Sequence, residues 1–132
     1  MRDEALIHFH LGRDISAGLL LPHNGGAAPG LVSEAAPWLD PRDPGRCAVG
    51  FCVAHPDLVG DIVGPPPATW QSWAFAEWDS WFGRINGVFL VDLQLMKVTQ
   101  YPLYSCAPKI VRCDLSGLPR RLVAVEEWLE TE

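Results

Sequence analysis

The sequence predicts an α+β domain: an antiparallel sheet of about six strands, which could be strongly curved, packed by one tryptophan-rich helix. Three observations predict it. Short apolar runs of strand length recur toward both ends of the chain. Between them, Thr69 to Gly83 carries indoles at helical spacing. The 12 prolines and 12 glycines punctuate the remainder and leave little room for long helices.

Taken in order, Ala5 to His10 alternates near its end and reads as a strand. Ile15 to Leu21, closed by Pro22, is short and interrupted by Gly18, which favours a second strand over a helix. Residues 22–46 hold Pro22, Pro29, Pro37, Pro41 and Pro44 among several glycines. They read as a long loop, functional or mobile, broken by one helical turn near Ser33 to Trp38. Cys47 to Ala54 reads as a buried strand and Leu58 to Val63 as a short one, stopped by Pro65-Pro66-Pro67. Thr69 caps the helix that Gly83 ends. Its broad apolar face carries Trp70, Trp73, Trp78 and Trp81. Gly87 to Val98, apolar on both faces, reads as one long central strand. Lys109 to Leu115 and Arg121 to Val125 flank a hairpin loop at residues 116–120, and Glu126 to Glu130 form a last helical turn.

The 132 residues make one domain, 48% apolar and 20% charged, without a repeat or linker. Net charge is −6, and the ten basic residues are scattered. This argues against nucleic acid, which needs clustered phosphate-neutralising cations, and fits a basic protein partner. Apolar stretches fall short of the roughly 20 residues of a membrane span. With no leader before the first strand and four cysteines, the expected setting is cytoplasmic with reduced thiols.

The residues that could carry chemistry are few. His8 and His10, two apart on a strand, put both imidazoles on one face, as a pair of metal ligands needs. Asp14 or His55 could complete a divalent-metal site. The same pair also reads as the polar face of an edge strand. Glu77 falls between Trp73 and Trp81 on the helix. Desolvation there would raise its pKa, and Asp92 in the central strand could join it as an acid/base pair. Cys47, Cys52, Cys106 and Cys113 could hold zinc, and Cys52 with His55 could form a nucleophile pair. Buried thiols acting as small apolar residues are the favoured explanation. Four indoles within twelve residues exceed what one helix hides behind a small sheet, so Trp70, Trp73, Trp78 and Trp81 are expected to line a ligand site or a protein-docking face.

Two segments, His8-x-His10 and Gly60-Asp61 through Pro65, resemble the two motifs of cupins. That resemblance implies an all-β barrel with His8 and His10 as metal ligands, although Gln71 stands where the second motif's histidine belongs. The first expectation is a non-catalytic binding or accessory protein that docks a protein partner, or a second copy of itself, through its tryptophans. The second is a small-molecule binder or small enzyme using the aromatic pocket with Glu77 and Asp92, or the histidines.

Overall fold

The computed structural model describes residues 3–64, 86–101 and 108–119. Seven strands form one sheet: β1 (Ala5–Leu11), β2 (Asp14–Ile15), β3 (Gly18–Leu21), β4 (Asp61–Val63), β5 (Val88–Asp92), β6 (Lys97–Tyr101) and β7 (Lys109–Val111). Their order is β4-β3-β1-β5-β6-β7, with β2 folded back on the end of β1. The central pair, β1 and β5, is parallel, with Ile7 opposite Phe89 and His10 opposite Asp92. Every other pairing among the described residues is antiparallel. The expected antiparallel sheet is therefore mixed. Among the described residues it is also open, ending in β4 and β7, and does not form the closed barrel that the cupin resemblance implies.

Two helices replace much of what reads as loop and strand. A 3₁₀ turn at Gly25–Ala27 leads into α1 (Ala28–Ala35), a second at Ala36–Trp38 follows it, and α2 spans Pro44–Ala54. The supposed loop at 22–46 is thus largely helical, and the supposed strand at Cys47 to Ala54 is a helix. Its start is well marked. Asp43 is the N-cap, its carboxylate accepting from the Arg46 amide at 3.2 Å, and Pro44 occupies the first turn where no amide is needed. The run Gly87 to Val98 is likewise two strands. Asp92 Oδ1 accepts from the amides of Gln94 and Leu95, both at 2.9 Å, and turns the chain; Met96 closes the turn at φ 56°.

Both helices lie on one face of the sheet. Ile7 and Phe9 of β1, Leu19 and Leu21 of β3, and Phe89 and Val91 of β5 meet Val32 and Ala35 of α1 and Cys47 and Phe51 of α2. Phe9 and Phe51 pack with ring centroids 6.3 Å apart. Full burial of each large side chain contributes about 2 kcal/mol. Pleating sends the alternate residues to the opposite face. There Leu6, Val88 and Leu90 form a second buried cluster with Ile15, Leu20, Val63 and Tyr101 around it. The helix expected over Thr69 to Gly83 lies outside the described residues, as do the segments 121–125 and 126–130. No helix among the described residues is long and apolar enough to cross a membrane.

Candidate functional site

His8 and His10 do share one face of β1, the face opposite α1 and α2, but their rings are held differently. His8 is fully buried. Its Nδ1 donates to the Ser16 carbonyl at 2.9 Å, which fixes that nitrogen as the protonated one. Burial drives its pKa down from 6.5 to about 4, against the pull of the Ser16 bond, so the ring is neutral at pH 7. The imidazole lies over β3. A Cβ added at Gly18 would sit 2.9 Å from His8 Cε1 and Nε2, so glycine makes room for the ring. Ser16 anchors the arrangement further: its hydroxyl accepts from the Phe9 amide at 3.0 Å and donates to the Ala17 carbonyl at 2.8 Å.

His10 turns the other way, toward β5. Its Nε2 lies 3.7 Å from Asp92 Oδ2, and its Nδ1 is 3.3 Å from the Gly12 carbonyl. Parallel pairing produces this meeting, because it sets His10 directly against Asp92 at the C-terminal ends of both strands. Lys97 on β6 is the next residue across that row. The structure therefore joins Asp92 to His10. Its other expected partner, Glu77, lies outside the described residues, as do Trp70, Trp73, Trp78, Trp81 and Cys106.

Neither of the suggested completing ligands joins the two histidines. Asp14 is exposed on β2, opposite Leu11. His55 caps α2 on the far side of the sheet, its ring tilted against Phe51 with centroids 5.0 Å apart and Nε2 donating to the Leu31 carbonyl at 2.8 Å. Among the described residues, no group of three or more His, Cys, Asp or Glu side chains is placed to hold a metal ion.

Two of the thiols are occupied structurally. Cys47 is buried and donates to the Asp40 carbonyl at 3.0 Å; burial pushes its pKa up to about 12. Cys113 donates to the Pro29 carbonyl at 3.2 Å and lies 3.4 Å from Ser33 Oγ, tying the chain after β7 to α1. Burial also raises the Cys52 and Cys113 thiols. Cys52 with His55 makes a poor nucleophile pair, since a raised thiol pKa disfavours the thiolate and His55 Nε2 is already donating.

The surface of α2 carries what the sequence reading missed. A helix lying on a sheet ordinarily turns charged residues outward. In α2, Arg46 is the sole charged residue of eleven. Val49 and Val53, one turn apart, are 64% and 60% exposed, and Trp38 beside the helix is 55% exposed. Trp38 is fixed there because its carbonyl and Cβ lie against Gly50. On the other flank, Cys52, Pro56, Val59, Gly60, Asp61 and Ile62 line a shallow groove of about 380 Å³ between the end of α2 and β4. Ile62 is 61% exposed. The spacing of Val49, Cys52, Val53 and Pro56 was legible as one helical face, but only once the segment is read as a helix.

Comparison with protein-family models, with curated proteins and with solved structures returns no significant match.

Proposed function

We propose that this chain is a non-catalytic binding or accessory protein that docks a protein partner or a second copy of itself through an exposed apolar surface. The observation that carries this reading is the outward face of α2. Val49 and Val53, with Trp38 on one side and Ile62 on the other, present large apolar side chains where a solvated helix has charge. Clustered apolar exposure of this kind marks interaction surfaces on monomeric domains. The indoles at Trp70, Trp73, Trp78 and Trp81 are the sequence's contribution to the same reading, since aromatic residues concentrate at interfaces.

The test is the double substitution Val49→Asp and Val53→Asp. Wild-type protein, crosslinked in native extract and followed by light scattering after purification, is expected to recover a defined complex or oligomer. The double variant, with unchanged circular dichroism, is expected to lose it. Undiminished association by the variant would place docking elsewhere.

A second reading, a small-molecule binder or small enzyme, rests on the approach of His10 to Asp92 at the ends of parallel strands, where open sheets containing parallel strands commonly bind ligands. Asp92→Asn keeps the side-chain oxygen that accepts the turn amides and removes only the charge beside His10. Ligand quenching of tryptophan fluorescence that disappears in Asp92→Asn and His10→Ala would favour this reading. Identical quenching in all three proteins would remove it.

A further inference from the structure

We propose that β4 accepts an added strand: an extended segment of a partner protein, alternating apolar and basic residues, pairs along Asp61–Val63 and seats its apolar side chains in the groove at the end of α2. This inference rests on the docking reading above and names the partner's chemistry.

Three observations converge on it. First, β4 is a terminal strand of the sheet. Among the described residues its backbone pairs with β3 alone, through Gly18 opposite Val63, Leu19 opposite Ile62 and Leu20 opposite Asp61. A sheet edge is a template for a further strand, and main-chain hydrogen bonds then supply affinity while pockets for alternate side chains supply specificity.

Second, the groove lies directly against this edge and is lined by apolar groups. Ile62 and Val59 meet Cys52 and Pro56 of the α2 end, and Val49 and Val53 extend the apolar surface along the helix.

Third, the charge around the groove is acidic. Asp57 and Asp61 are exposed, and the Glu34 carboxylate is two-thirds exposed. The arginines that precede and enter α2 are turned toward acids of their own loop, Arg42 toward Asp40 at 3.8 Å and Arg46 toward Asp43 at 3.5 Å. A second copy of this chain would bring the same acids against them, whereas a basic segment complements them.

Asp61 gives the edge its selectivity. Its Oδ1 accepts from the Ile62 amide at 2.8 Å. A charged residue on an edge strand discourages indiscriminate pairing. An incoming backbone carbonyl can replace this exposed carboxylate on the amide, and the carboxylate is then free to meet a lysine or arginine of the added strand. The same group that repels acidic strands thereby selects basic ones.

The experiment uses two probes on the full chain: an alternating Val–Lys heptapeptide and its Val–Glu counterpart. Binding is read by fluorescence anisotropy and by amide exchange at Ile62. The Val–Lys peptide is expected to bind saturably, to slow exchange at that amide, and to weaken at high salt. Asp61→Lys is expected to weaken it at least tenfold. Ile62→Asp, which keeps the backbone able to pair, is expected to do the same by removing an apolar wall. Equal binding of the Val–Glu peptide, no protection at Ile62, or undiminished affinity in Asp61→Lys would each overturn the proposal. Failure of the Val–Lys peptide while Val49→Asp/Val53→Asp still abolishes partner association would leave docking standing and strand addition wrong. Survival of partner association in that double variant, with peptide protection intact, would sink the α2 face and leave the edge as the docking element.

Discussion

At the scale of single residues, the most consequential is His8. Its pKa is about 4 in the folded chain and near 6.5 when unfolded, because burial disfavours the imidazolium. The unfolded state therefore binds the extra proton between these values. Stability from this residue is complete above pH 6.5, falls as pH drops toward 4, and is level below. The loss amounts to about 3 kcal/mol at most. Urea denaturation from pH 7.5 to 4.5 should show the decline, and His8→Gln should flatten it. Gly18→Ala tests the same spot sterically. Its methyl would meet His8 and Leu6 at 2.9 Å, and destabilisation by about 1–3 kcal/mol is expected in the same assay. The His-x-His spacing was legible in the sequence, and so was a shared face. The divergence of the two rings was not, because it depends on Gly18 and Asp92 arriving from strands elsewhere in the chain. Cys47 shows the reverse case. A buried, inert thiol was one of the readings open from sequence, and native iodoacetamide at pH 7.5 should leave it unmodified while the denatured chain reacts.

At the scale of elements, α2 is where sequence and structure part most sharply. Cys47 to Ala54 is apolar without interruption, so neither a two-residue nor a 3.6-residue period stands out, and a buried strand was the natural reading. The deciding signal was upstream, in Asp43-Pro44. Asp43→Ala should lower stability by about 1 kcal/mol through loss of the cap. Gly50→Ala should cost more, about 3 kcal/mol, because its Cβ would fall 2.1 Å from the Trp38 carbonyl oxygen and push the 3₁₀ turn off the helix. Thermal and urea unfolding check both. The hairpin from β5 to β6 was hidden for a different reason. Its turn contains neither glycine nor proline, and Leu93, Leu95 and Met96 continue the apolar run. Asp92 supplies the turn through its side chain, and Met96 adopts the left-handed conformation that glycine takes at little cost. Met96→Gly should therefore leave stability level or raise it, by up to about 1 kcal/mol. The strand at Ala5 to His10 was readable because its apolar run ends at Gly12, whereas of the stretch Lys109 to Leu115 only Lys109–Val111 is strand.

For the whole molecule, the sheet order sets both the meeting of His10 with Asp92 and the position of the β4 edge. The parallel pairing of β1 with β5 was not legible, since residues 12–87 intervene and no local pattern fixes which distant strand lies alongside. It nevertheless sets His10 against Asp92 and buries both faces of the central strands. Stacking α1 and α2 on one face leaves the outer side of α2 and the β4 edge as neighbouring surfaces, with exposed valines on the first and an exposed isoleucine on the second. If that surface exists for docking, the isolated chain does not rely on it for folding. The most direct measurement is the free energy of urea unfolding of the Val49→Asp/Val53→Asp protein at a concentration where wild type is monomeric. A value within about 0.5 kcal/mol of wild type is expected, as for surface substitutions generally. A fall of more than about 2 kcal/mol would mean that the valines are buried in the folded monomer, and would contradict a docking role for α2.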